Sequence, residues 1–206
     1  MNKTVIFDLD GTLVDIEPVF LKLYNRLAEE FHLEPITEEE IALHKDLPLK
    51  KFILKRLGWR IFLFPKLLKL GRAAYFEGIK EVQLFPGMKE VCETLHAHGY
   101  HLGIISSSEE RVIRTIIERY TLPVEFLKHS GLFTKAKTLK KLLHEKHLPP
   151  HEVIYVGDEL RDVEACEKVG ISIIAVTWGL NSKAALQKTG VRTADTREEL
   201  LASLLQ

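Results

Sequence analysis

Cysteine is scarce in this sequence, and its two examples, Cys92 and Cys166, stand far apart with no second cysteine beside either. That excludes a disulfide framework and a thiolate zinc site, and leaves buried thiols as the expected state. Net charge is missing too, with 29 lysines and arginines against 29 aspartates and glutamates. No overall field draws the chain to nucleic acid, so any attraction for anions must be local. No apolar run reaches the ~20 residues that span a bilayer, and no internal repeat or low-complexity tract suggests a solenoid or a tail. The N-terminus runs into an apolar segment without a basic leader, so a cytoplasmic protein with neither membrane nor nucleic-acid partner is expected. His96, His98 and His101 fall close together but straddle a predicted helix end and strand start. A solvated helix terminus accounts for them better than a metal site does.

What is present is alternation. Apolar runs at about 3–8, 101–105, 124–128, 152–157 and 171–176 read as strands, each followed by a helical pattern, with a short further strand near 191–194. Such alternation predicts an α/β fold with a doubly wound parallel sheet. Helices are expected at 86–99, 109–120, 135–146, 160–169, 182–189 and 196–205. Between 16 and 85 strands vanish and helical periodicity takes over, near 17–32, 37–46, 49–57 and 60–79. Residues 16–85 thus read as an inserted helical cap on a core of 1–15 and 86–206, placed where it can act as a lid. The segment RIFLFPKLLKLGR, 60–72, is apolar and basic enough to suggest a membrane-surface helix or a helix that packs on a partner, but packing inside the cap explains it more simply.

The run VIFDLDGTLVD, 5–15, carries the most chemistry. An apolar strand ends in a glycine turn with two carboxylates, Asp8 and Asp10, spaced so that both leave the strand tip on one side. One can attack an electrophile or hold a cation while the other handles protons. The plainer alternative is a strand exit in which both acids cap backbone amides. DLDGTLVD resembles the signature of the haloacid dehalogenase-like hydrolase superfamily, whose members are mostly Mg2+-dependent phosphatases working through a phospho-aspartate.

Three further segments follow in the order that the resemblance implies. HLGIISSSEE, 101–110, ends a second strand in serines, with Ser106 at the tip; Ser107 and Glu110 fit a helix-capping box. TKAKTLKKLL, 134–143, puts Lys135 at a helix start, where a cation is unfavourable unless an anion lies nearby. VIYVGDELRD, 153–162, ends a strand in Gly157 and Asp158 and adds Asp162, hard oxygen donors suited to Mg2+. The resemblance implies that Ser106, Ser107 and Lys135 bind the phosphoryl group, with Lys137 as the second candidate lysine. It implies Asp8, the Asp10 carbonyl and Asp158 as metal ligands, Asp162 as a residue behind them, and Glu159 as a possible substitute.

It implies, further, that Asp8 is the nucleophile and Asp10 the acid and then the base, with cap closure excluding water. The substrate is then a small phosphorylated metabolite, in the manner of the phosphoglycolate phosphatase-like branch, although the Lys-Pro-x-Pro form common there is absent. A sugar phosphomutase shares the core residues, and a non-catalytic phosphate-binding regulator shares the fold; both stand as alternatives. Lys45, Lys50, Lys51, Arg56 and Arg60 are cap cations available to a substrate carboxylate or second phosphate, or simply solvated.

Overall fold

The structure, a computed structural model, describes residues 3–206. Six strands form one parallel sheet: β1 (Thr4–Phe7), β4 (His101–Ser106), β5 (Phe126–His129), β6 (Val153–Gly157), β7 (Ser172–Val176) and β8 (Arg192–Ala194). Their spatial order is β5-β4-β1-β6-β7-β8, so β1 is central and the order reverses beside it. In such sheets the carboxyl ends at that reversal open a crevice. Register places Phe7 beside Ile104 on one side and Val156 on the other. Asp8 and Asp158 are thus each the first residue past their strands, and Ser106 is the last residue of its own.

The side-chain alternation of a strand divides the core in two. Val5 and Phe7 pack with Val91, Leu95, Val112, Ile113, Ile116, Leu200 and Leu204. These come from α5 (Met88–Ala97), α6 (Glu110–Tyr120) and α10 (Arg197–Leu204). Ile6 faces the opposite way, with Ile105, Tyr155, Leu139, Leu142, Val163 and Leu186, supplied in part by α7 (Lys135–Glu145), α8 (Leu160–Val169) and α9 (Lys183–Gln187). Cys92 and Cys166 are both buried free thiols, one in each cluster.

The helices expected within 16–85 are α1 (Glu17–Glu30), α2 (Glu38–His44), α3 (Leu49–Leu57) and α4 (Phe64–Glu77). Two features depart from expectation. Strands β2 (Val14–Asp15) and β3 (Gln83–Leu84) pair antiparallel where the chain leaves and rejoins the sheet domain; strands of two residues are too short for any alternation to reveal. The expected single helix at 60–79 is a 3-10 turn, Gly58–Leu63, followed by α4. Pro65 has no N–H to donate and is seated in the first turn of α4, so it begins a helix where the apolar pattern suggested an interior. Nor is the 60–72 segment wholly packed, because Ile61 and Phe62 are exposed.

Candidate active site

Asp8 is 1 % exposed, and its main-chain N–H still belongs to the sheet, donating to Val156 O at 2.8 Å. Its Oδ1 accepts from Leu9 N at 2.7 Å and its Oδ2 from Lys135 Nζ at 2.6 Å. Asp158, wholly buried at the adjacent tip, accepts from the Thr12 hydroxyl at 2.8 Å and from Leu180 N at 2.8 Å. Gly11 is what permits this approach. It has φ +80°, and a Cβ there would lie 2.2 Å from Asp158 Oδ2. The same carboxylate bars a side chain at Gly179, whose Cβ would lie 2.3 Å away.

Lys135 opens α7 and is 3 % exposed, whereas Lys137 is exposed. Its ammonium pairs with both Asp8 and Asp162, which resolves the cost of a cation at a helix start: its anions are carboxylates of the site. Burial opposes the Lys135 charge, but Asp162 and Asp8 more than offset it and hold the ammonium protonated. Asp162 uses its other oxygen to accept from Glu159 N at 3.1 Å, at the start of α8. Glu159 is itself paired with Arg161, so neither residue is a free oxygen donor.

Carboxylate oxygens of Asp8, Asp158 and Asp162 all lie within 4.8 Å of one another, and all three residues are buried. One buried ammonium does not balance them. Burial pushes the Asp8 carboxyl up to about 7, against the pull of Lys135 and with the push of Asp162. Asp158 is raised well above the usual carboxylate range by burial and by Glu159, Asp162 and Asp8. A site with excess buried negative charge and only hard oxygen donors fits a small divalent cation such as Mg2+. Asp8 and Asp158 are the side chains placed to hold it.

Asp10 faces elsewhere. Its carboxylate accepts from Tyr75 Oη at 2.6 Å, from Ser106 Oγ at 3.3 Å and from the Ser108 hydroxyl. Ser106, fully buried, accepts in turn from Ser108 N at 3.0 Å. The expected capping box at Ser107 does not form. Helix α6 starts at Glu110 with Glu109 as its extended N-cap, so Ser107 lies too early to cap it and instead faces Arg161 Nη2 at 3.4 Å. Tyr75, Ser108, Thr12 and Arg161 were not among the sequence candidates. Arg161 is the most legible of them, since it stands inside the GDELRD segment; its Nε is buried without a hydrogen-bond partner.

The inserted helices reach this site at two places. From α4, Tyr75 contacts Asp10 and, one turn earlier, Arg72 donates to Ser107 O at 3.3 Å. On the other side Asn181, 2 % exposed, donates to Lys45 O at 2.7 Å and Leu47 O at 3.2 Å while accepting from Leu160 N at 2.8 Å. Lys45 pairs with Glu17 and reaches Gly179 O. Of the other expected cap cations, Arg56 and Arg60 donate to the main-chain carbonyls of Phe31, His32, Glu34 and Pro35, away from Asp8; Lys50 and Lys51 are exposed. Among the described residues the one candidate metal cluster is the aspartate group, and His101 is paired with Glu125, an acid the local sequence did not reveal.

The profile of the haloacid dehalogenase-like hydrolases matches residues 5–176, from the first strand through β7. The chain belongs to that family. It is 33 % identical over 187 residues to the phosphoglycolate phosphatase of Synechococcus elongatus, covering 89 % of this chain and 88 % of that one. It is 26 % identical to the phosphoglycolate phosphatase of Aliivibrio fischeri, over 87 % of this chain and 86 % of the relative. In fold it is similar to a haloacid dehalogenase-like hydrolase of Streptococcus pneumoniae, with a TM-score of 0.83 at 24 % identity and 98 % coverage of both chains. It is therefore a hydrolase of the haloacid dehalogenase-like family, on the phosphoglycolate phosphatase-like side of it, and an enzyme of the phosphomonoester-cleaving kind.

Proposed function

We propose that this enzyme is a Mg2+-dependent phosphatase that cleaves a small phosphomonoester through an aspartyl-phosphate on Asp8. The observation that carries the reading is the contrast between two acids two residues apart. Asp8 is buried among a lysine and two carboxylates, whereas Asp10 is held by three hydroxyls. The first arrangement suits a nucleophile beside a cation, the second a group that gives and takes a proton.

The Asp8 carboxylate attacks phosphorus in line, and the P–O bond to the leaving alkoxide breaks. Asp10 gives that alkoxide its proton. Ser106, Ser107 and Lys135 stabilise the charge on the transferring phosphoryl oxygens. Asp10, now ionised, takes a proton from the water that attacks the aspartyl-phosphate, which releases phosphate and restores Asp8. Asp8, Asp158 and the Asp10 carbonyl would hold Mg2+, with Asp162 keeping Lys135 in place. When bound, the ion neutralises phosphate charge and aligns it with Asp8. Residues 16–85 act as the cap over a core of 1–15 and 86–206. The inserted helices meet the site at Asp10 and Ser107, and their opening there would admit substrate.

Phosphoglycolate, the substrate in the names of the relatives, is the first compound to test. Hydrolysis should require Mg2+, fall at least ~10³-fold in Asp8→Asn and ~10²-fold or more in Asp10→Asn. Intact mass after acid quench should show a phosphate adduct that Asp8→Asn lacks. Turnover by Asp8→Asn at the wild-type rate would end the proposal.

A further inference from the structure

Between Asp46 and Glu77 the chain has no acidic residue and eight cations: Lys50, Lys51, Lys55, Arg56, Arg60, Lys66, Lys69 and Arg72. The chain as a whole has no net charge, so the rest of it carries 21 cations against 29 acids, and this stretch is a strong local excess. The same stretch exposes two of its six aromatics. Trp59 is 82 % exposed and Phe62 65 %, with ring centroids 6.0 Å apart, and Leu54 and Ile61 add to the patch. Neither ring serves the catalytic site. They stand at the far end of α4 from Tyr75, about 17 Å along the helix at its usual rise.

The turn that presents them is held in place. The Arg60 guanidinium donates to His32 O at 2.7 Å, and that of Arg56 to Tyr24 Oη at 3.0 Å and to Glu34 O. Lys66 lies over the Phe31 ring, 4.8 Å from its centroid. Lys55, Arg56 and Arg60 line one cavity of about 360 Å³ on this side of the cap. The acids near it are Glu34 and Glu40, and Glu40 is paired with Arg56. The structure thus invests several cations in holding the turn Gly58–Leu63 against the end of α1, with its rings outward.

We infer that the Gly58–Leu63 turn and its flanking lysines form a docking surface for an anionic lipid bilayer. A tryptophan beside a phenylalanine, ringed by cations on long apolar stems, matches the chemistry of the headgroup boundary, where rings insert and ammonium groups reach anionic lipid. No helix among the described residues is long and apolar enough to cross a membrane, so the contact is peripheral. Pairing this face with itself would set its exposed lysines against one another, which disfavours a second copy of the chain as its partner. The inference reverses the expectation that the protein has no membrane partner, and it is independent of the substrate.

The test is co-sedimentation of the full-length protein with vesicles of phosphatidylcholine alone and with about a third phosphatidylglycerol, at low and moderate salt. Binding is expected to the anionic vesicles and to weaken with salt. Trp59→Ser combined with Phe62→Ser should weaken it at least ~10-fold, and Lys55→Gln or Lys69→Gln about fivefold each. Each variant should hydrolyse an aryl phosphate at the wild-type rate, which shows that it is folded. Failure to sediment with anionic vesicles, or undiminished binding by the double aromatic variant, overturns the inference. Sedimentation equilibrium showing a dimer that the double variant dissociates would also overturn it, in favour of a second copy.

Discussion

At the scale of single residues, the two acids of the first strand were legible because their spacing alone sends them out of one strand tip. The groups that differentiate them were not. Tyr75 lies 65 positions from Asp10 in sequence and reads there as one more aromatic on an amphipathic helix. Only the docking of α4 brings its hydroxyl to the carboxylate. Burial and the neighbouring Asp10 raise the phenol well above its ordinary range, so Tyr75 stays a donor. Tyr75→Phe keeps the ring packed and deletes that donor, which loosens Asp10 without touching the phosphoryl contacts. Turnover should drop about 10- to 100-fold with KM within about twofold of wild type. Steady-state kinetics decide it: a raised KM at unchanged kcat would assign Tyr75 to substrate binding.

At the scale of elements, the strands and most helices follow from alternation and from Pro and Gly at their ends, as with Gly87 and Gly99 around α5, both at positive φ. The β2–β3 pair escaped because two residues carry no period, and the latch at Asn181 escaped because a single amide carries no pattern. That amide joins three parts: the loop after α2, the start of α8 and the 177–182 loop that also supplies Leu180 N to Asp158. The proposed closure of residues 16–85 would therefore engage the same loop that positions Asp158, the proposed metal ligand. Asn181→Ala strands Leu160 N and two carbonyls, and should cost about 1–3 kcal/mol in thermal unfolding. Because the same amide would hold residues 16–85 in the proposed closed position, kcat/KM should fall further than a stability loss at 25 °C explains. Catalysis unchanged in a destabilised variant would make Asn181 a packing residue only.

At the scale of the whole molecule, the parallel sheet collects acids from separate segments at one end, and without a bound cation their mutual repulsion opposes folding. The direction with pH follows from Asp8, whose folded value of about 7 stands above an ordinary 3.8. A carboxyl raised on folding binds its proton more tightly in the native state, so its contribution is fully present at low pH. It is lost as pH rises from about 4 through about 7. Asp158 shifts in the same direction. Exposed acids such as Glu145 and Asp195 are lowered by lysine partners and act oppositely, so the informative quantity is the difference between wild type and Asp8→Asn. In chelator, Asp8→Asn should gain about 1–2 kcal/mol over wild type at pH 8 and little at pH 4. Mg2+ at about 100 times its Kd should stabilise the wild type by about 2.7 kcal/mol at pH 8. It should do so less at pH 5, where a proton already neutralises Asp8 and competes with the ion. Thermal unfolding across this range, with and without Mg2+, tests the argument. Parallel curves for the two proteins would mean that Asp8 is ionised even in chelator, with Lys135 alone sufficient to hold its charge.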